Sequence, residues 1–259
     1  MSVSDGSAAP VRVFDADMSD DLKGPVKKGP TLTPKDAATL MVIDRGADGT
    51  VRVLMGRRHM RHAFMPGKFV FPGGRVDADD ARVPVADAFA EMELLRLMKG
   101  PRAPRTPGRA RALAVAAIRE TYEEAGLLIG TPGAARLPGG EAWTAFGERG
   151  LLPALSRLVF LARAITPPGR PRRFDTRFFA VWADAIADRL PEGTGPSGEL
   201  EEVQWIAVEE AATFDLPGVT RRVLRELGTR LEADPGLSRT DIPVPFYQSR
   251  GEAFFQRLL

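Results

Sequence analysis

The chain has 259 residues, room for one elaborated α/β domain or two small ones. Hydrophobic residues make up 44% and charged residues 27%, a globular balance that excludes wholesale disorder, and no apolar run approaches the roughly 18 residues of a membrane span. The absence of cysteine excludes disulfides and thiolate sites, two histidines (His59 and His62) leave few candidates for a histidine-rich metal centre, and a formal charge of +2 does not call for nucleic acid.

Residues 1–33 are polar and rich in Gly, Pro and Asp, and read as a loose arm without the basic-then-apolar pattern of a secretory leader. From Ala37, AATLMVIDR and VRVLMGRR flank RGADGT, whose Asp48-Gly49 predicts a β-hairpin. KFVFPGG predicts a strand ending in Gly73 and Gly74, and residues 75–84 read as turn. Val85 to Gly100 predicts an amphipathic helix closed by glycine. After a proline-rich loop (101–108), RARALAVAAIRETYEEAG predicts a long helix stopped by Gly126. LLIG, SRLVFLARAIT, DTRFFAVWA and EEVQWIAV predict strands, and 139–149 and 217–233 predict helices. The tail, with four aromatics after Asp241, is expected to pack on the body. The basic runs 102–111 and 170–177 read as solvated arginine, with phosphate contact as the alternative.

The long helix carries the most informative pattern. At about 100° per residue, Glu120, Glu123 and Glu124 share an arc of about 100°. Ala114, Val115, Ile118, Tyr122 and Ala125 lie opposite, which predicts one buried and one acidic face. Ala116 and Ala117, on the acidic side, read as small residues leaving open space. Three like charges within one turn repel each other and oppose the helix dipole. A hard, oxygen-seeking divalent cation would resolve the conflict. A solvated acidic face with Arg119 as its partner is the other reading, and the helix alone leaves both open.

Arg119-Glu120-x-x-Glu123-Glu124-x-Gly126-Leu127, behind Phe71-Pro72-Gly73-Gly74, resembles the Nudix box, G-x5-E-x7-R-E-U-x-E-E-x-G-U. The chain departs from it in three places. Arg119 lies 45 residues after Gly74, far more than the pattern's own spacing. Counting forward from Gly74 puts the first box carboxylate at Asp80, and counting back from Arg119 leaves it absent. Thr121 stands where the pattern has an aliphatic residue. With FMPGKFVFPGGRVD (64–77) and PRRFDTRFF (171–179), the split box is similar to the branch related to the peroxisomal coenzyme A diphosphatases of animals, over residues 36–235.

The resemblance implies an α/β fold, the Nudix-type α/β/α sandwich with a mixed β-sheet and an inserted helical excursion. The expected divisions are an arm (1–35), a Nudix hydrolase domain (36–235) and a tail packed on it (236–259). The insertion, 81–106, is expected to be a lid or surface excursion beside the site that tunes substrate choice. The implied activity is hydrolysis of a nucleoside diphosphate derivative at its diphosphate. Mg²⁺ or Mn²⁺ would sit on Glu120, Glu123, Glu124 and the carbonyl of Gly74, with Arg119 orienting a glutamate. Arg57, Arg58, Arg61 and Gly73 are the expected substrate contacts, the arginines meeting a 3′-phosphate if the substrate is CoA or acyl-CoA. Glu201 or Glu202, with Glu199 beside them, are candidate general bases, and His59 and His62 read as surface residues. The alternative is a catalytically weak or inactive Nudix-fold nucleotide-binding module. The expected partner is a small-molecule nucleotide diphosphate, with no nucleic acid and no membrane; a homodimer is allowed, and the expected compartment is the cytoplasm.

Overall fold

The computed structural model describes residues 9–13, 18, 31–61, 65–251 and 253–259, so most of the arm and His62 lie outside the described residues. The hairpin consists of β2 (Lys35–Arg45) and β3 (Val51–Arg58), paired antiparallel from Ile43↔Val53 to Arg45↔Val51. Its turn is held by the Thr50 N–H donating to Asp48 Oδ1 at 3.0 Å, with Gly49 at φ 84°. Along β2, Ala38, Leu40 and Val42 enter one apolar cluster while Met41 and Ile43 enter another. A strand buried on both sides requires a covering layer on each.

The remaining strands are β1 (Val11–Val13), β4 (Phe69–Val70), β5 (Gly73–Arg75), β6 (Leu127–Pro132), β7 (Leu151–Pro153), β8 (Val159–Ile165), β9 (Phe174–Trp182), β10 (Ile186–Arg189), β11 (Leu200–Ala207), β12 (Pro245–Arg250) and β13 (Ala253–Leu258). The helices are α1 (Glu91–Leu97), α2 (Pro107–Ala125), α3 (Glu141–Glu148) and α4 (Gly218–Ala233). The main sheet runs β1-β13-β12-β8-β9-β2-β3-β11, with β4 added to β3 and β5 to β2. It is mixed, because β9 runs parallel to β2 and β12 parallel to β8. Helices α1 to α3 and the small sheet β10-β6-β7 cover one face, and α4 covers the other through Val223, Leu224 and Leu227. This is the α/β/α sandwich. The tail enters the sheet itself: Phe246 and Tyr247 of β12 pair with Arg163 and Ala164 of β8. No helix among the described residues is long and apolar enough to cross a membrane.

Two expectations need correction. The helix predicted over 85–100 shrinks to α1, because its first residues are bound elsewhere. The Ala86 N–H donates to Pro153 O, and the Asp87 carboxylate accepts the N–H groups of Leu155 (2.6 Å) and Ser156 (3.0 Å). Nor is 81–106 a lid. Val83, Phe89 and Leu97 are buried in the same core as α2, and the Phe89 ring lies 5.9 Å from that of Phe179. The buried Glu93 carboxylate accepts the Phe160 N–H at 2.9 Å, and the buried Arg163 guanidinium donates to Pro101 O at 2.6 Å.

Candidate active site

Helix α2 begins at Thr106, whose hydroxyl accepts the Arg109 N–H, with Pro107 in the first position where no N–H is needed. It ends at Gly126, whose φ of 69° suits glycine. The acidic arc is not an open face. Ala116, Ala117, Thr121 and Glu124 are buried, and only Glu120 and Glu123 are partly exposed. The two alanines let α2 settle against β2 and β5 instead of leaving space. Thr121 tolerates its buried position because its hydroxyl donates to Ala117 O at 2.8 Å.

Strand β5 explains Gly73 and Gly74. The Gly73 N–H donates to Glu124 Oε2 at 2.8 Å. A Cβ on Gly74 would stand 2.5 Å from the Glu120 carboxylate. The glycine pair is a close approach of backbone to two carboxylates, not merely a strand end. Arg119 binds the cluster together. Nε and Nη2 donate to Asp80 at 2.9 and 3.1 Å, Nη2 also to Arg75 O at 2.9 Å, and Nη1 to Glu120 at 2.8 Å and Glu123 at 2.9 Å. Asp80 is buried and also accepts the Asp77 N–H at 2.8 Å, closing the single turn Ala78–Arg82.

The electrostatics are strained. Burial, then repulsion from Glu123, lift the Glu120 pKa to about 7 despite Arg119. Burial and the Glu120 charge hold Glu124 well above the usual carboxylate range, with only partial relief from the Gly73 N–H. Glu123 is raised as well, chiefly by burial. Burial opposes the Arg119 charge, but the Asp80 hydrogen bonds and the surrounding carboxylates outweigh it and raise its pKa.

Glu120, Glu123 and Arg119 open, with Gly73 and Gly74, into a cavity of about 660 Å³. Thr39, Thr176 and Phe178 also line it. By strand alternation these share the face of Met41 and Ala180, the α4 side of the sheet. The glutamates come from the opposite layer and reach the cavity at the short glycine strand β5.

The candidate residues divide. Arg58 lines the cavity beside Glu199, which it contacts at 3.2 Å. Arg57 does not line it; it is clamped by Glu202 at 2.7 and 3.0 Å and lies 3.4 Å from Glu201. Glu201 and Glu202 are thus turned to Arg57 and His59, away from the cavity, and Glu199 is the carboxylate of that strand edge that faces it. Arg61 folds back on His59, its N–H donating to Nδ1 at 3.0 Å. Arg170 and Arg172 also line the cavity, while Arg177 is fully buried against Asp36 and Asp175. The run 170–177 is therefore not simply solvated, and the signal for this was the place of Arg177 inside the predicted strand DTRFFAVWA.

Among the described residues, no group of three His, Asp or Glu side chains is disposed to hold a metal ion. Arg119 Nη1 draws two of the three carboxylates to itself. The donor chemistry nevertheless fits a hard divalent cation: oxygen ligands only, with crowded negative charge whose ionisation burial opposes.

No family model matches the chain. It is 29% identical over 172 residues to a putative nudix hydrolase 7 of Caenorhabditis elegans, covering 62% of this chain and 48% of that protein. It is 33% identical over 220 residues to the acyl-coenzyme A diphosphatase NUDT19 of Gallus gallus, covering 61% of this chain and 54% of that protein. The chain spans about half the length of these curated relatives. The crystal structure of a NUDIX hydrolase from Alicyclobacillus acidocaldarius matches with a TM-score of 0.50 and 29% identity, over 78% of this chain and 85% of that one. The fold and the box residues agree with these likenesses, and together they support a place for the chain in the Nudix hydrolase superfamily. Within it, the chain resembles the coenzyme A diphosphatases.

Proposed function

We propose that the chain is a divalent-metal-dependent diphosphohydrolase that cleaves the diphosphate linkage of a nucleoside diphosphate derivative, with CoA or an acyl-CoA as substrate. The observation that carries this is the meeting of three α2 carboxylates with Gly73 and Gly74 at the end of a cavity. Mg²⁺ or Mn²⁺ held by Glu120, Glu123 and Glu124 would neutralise diphosphate oxygens and lower the pKa of water. Arg119 holds the Glu120 and Glu123 carboxylates side by side, and Asp80 fixes Arg119 in the place of the first box carboxylate. Glu199, facing the cavity beside Arg58, is the side chain assigned to receive the proton of the attacking water. Arg170 and Arg172 are assigned to phosphoryl oxygens, and Phe71, Phe174 and Phe178 to the uncharged part of the substrate. The acyl-CoA specificity is supported by the name of the Gallus gallus relative.

One observation favours a nucleotide-binding module with little turnover: Arg119 already neutralises two of the three carboxylates. The experiment separating the readings incubates the protein with CoA, acetyl-CoA and a panel of nucleotide diphosphates, with Mg²⁺, Mn²⁺ or a chelator. Mass detection follows both products. Paired products at the diphosphate, lost with chelator, are expected; intact substrates throughout would leave only the binding module.

A further inference from the structure

Beside the catalytic cavity lies a second, more open groove of about 760 Å³. Five cationic side chains line it: Lys35, Arg75, Arg102, Arg105 and Arg109. Its only carboxylates are Asp36 and Asp77, and both are engaged. Asp36 takes Arg177 at 2.7 Å and Asp77 takes Arg75 at 3.1 Å. The side chains of Lys35, Arg105 and Arg109 make no salt bridge among the described residues. Arg75 and Asp77 line both the groove and the catalytic cavity, so the two share a wall. Much of the other wall, Ala81 and Arg102 to Arg105, comes from the insertion.

We propose that this groove binds a second phosphate carried by the substrate, separate from the diphosphate that is cleaved; the assignment rests on the hydrolase reading above. Unneutralised cations gathered on one concave surface repel each other, and a phosphate monoester relieves that repulsion while taking forked hydrogen bonds from arginine. The position suits a substrate that extends past Arg75 from the carboxylate cluster. CoA meets the description, since its 3′-phosphate lies on the nucleotide side of its diphosphate. Of the three residues expected from sequence for that phosphate, Arg57 is clamped by Glu202, Arg61 is folded on His59, and Arg58 lines the first cavity beside Glu199 and not this groove. The insertion thus bears on substrate choice through a basic wall, not through a lid.

The test uses the full chain and the double variant Arg105→Glu/Arg109→Glu, with Lys35→Ala as an independent single change. All three positions are exposed, so folding is expected to survive, and melting curves check this. Hydrolysis of CoA and 3′-dephospho-CoA is followed in parallel. Adenosine 3′,5′-bisphosphate, adenosine 5′-monophosphate and inorganic phosphate are titrated calorimetrically in Mg²⁺. The wild type should favour CoA by about tenfold in kcat/KM, the worth of one charge-assisted contact, and bind the bisphosphate tighter than the monophosphate by a similar factor. The double variant should lose both preferences while cleaving 3′-dephospho-CoA at the wild-type rate, and Lys35→Ala should weaken them. Hydrolysis without preference, or with a preference the double variant keeps, overturns the groove assignment and leaves the hydrolase standing. Absence of hydrolysis on both substrates defeats CoA as the hydrolysed substrate instead. The titration then decides the groove alone: a bisphosphate preference removed by the double variant supports it, and equal affinities overturn it. Inorganic phosphate bound in the groove with no preference among the nucleotides assigns it to a free anion and also overturns the proposal.

Discussion

A single methyl group tests the core of the site. Strand β5 passes so close to α2 that a Cβ on Gly74 would lie 2.5 Å from Glu120 Cδ and Oε2 and 2.6 Å from Oε1. Ordinary contact begins near 3.4 Å, so in Gly74→Ala the carboxylate must retreat by about 0.9 Å. It cannot do so freely, because Oε1 is held by Arg119 Nη1 at 2.8 Å. A misplacement of about 1 Å at a reacting centre lowers turnover on the order of 100-fold. The clash is with the end of a side chain, so the fold should survive with a melting temperature within a few degrees of wild type. Gly73→Ala provides the contrast. Its methyl would meet Thr39 Oγ1 at 2.4 Å and the backbone of Ala38 and Thr39 at 2.7 Å, in a central strand. That overpacking should lower stability by about 1–3 kcal/mol. Initial rates by product detection and a melting curve for each variant separate the two effects. Gly74→Ala at full stability and within about threefold of wild-type turnover would refute the reasoning, because Glu120 would then be free to move without consequence.

Glu124→Gln keeps an acceptor for the Gly73 N–H but removes a buried charge that Glu120 repels. It and Glu123→Gln should each lose at least about 100-fold in turnover, with the metal-free melting temperature equal or higher; near-normal rates for both would remove them from the chemistry. Millimolar Mg²⁺ or Mn²⁺ should raise the melting temperature, by the equivalent of about 2.7 kcal/mol at a hundred times Kd; no shift with or without a nucleotide diphosphate would speak against cation binding. Burial alone would raise the pKa of Asp234, but the N–H groups of Arg239 and Ser238 and the Arg230 charge reverse this and lower it below 3.8. Its stabilisation is therefore present above the unfolded value and lost as pH falls through the folded one, so the deficit of Asp234→Asn, about 1 kcal/mol at pH 7, should vanish in strong acid; a gap independent of pH would contradict the assignment. Phe89→Ala should lower stability by about 3–5 kcal/mol with kcat unchanged, because Phe89 packs on Phe179 and lines no part of the cavity; a loss under about 1 kcal/mol would return the excursion to the surface.

What could be read from the sequence is what local patterns determine. The Asp48-Gly49 turn, the apolar run of β2 and the Gly126 stop each depend on a few neighbouring residues, and each stands where those residues put it. Helical periodicity placed Glu124 on an acidic arc but could not bury it, because the partner that buries it, Gly73, is 51 residues away in the chain. Arg177 read as solvent-facing, since nothing local reveals that Asp36, 141 residues earlier, meets it in the adjacent strand. The start of the predicted 85–100 helix failed for the same reason: Asp87 finds the backbone of Leu155 and Ser156 a better partner than its own helix. In each case a non-local hydrogen bond decided the outcome.

The split box follows from the same geometry. The contacts that assemble the site, Asp80 to Arg119, Gly73 to Glu124 and Gly74 to Glu120, bring residues before or at the start of the insertion against residues after it. The two halves are therefore fixed by their own contacts, and the intervening chain needs only to leave and return. Loop-closure entropy grows slowly, so roughly tripling the separation costs about 1 kcal/mol. Burying one side chain such as Leu97 or Phe89 returns about 1.5–3 kcal/mol, and the insertion buries both with Val83. An excursion with no apolar contacts would remain a net burden on the fold. One that packs under α2 and β9 offsets its own closure, and its arginines are then held in place beside the cavity they share a wall with.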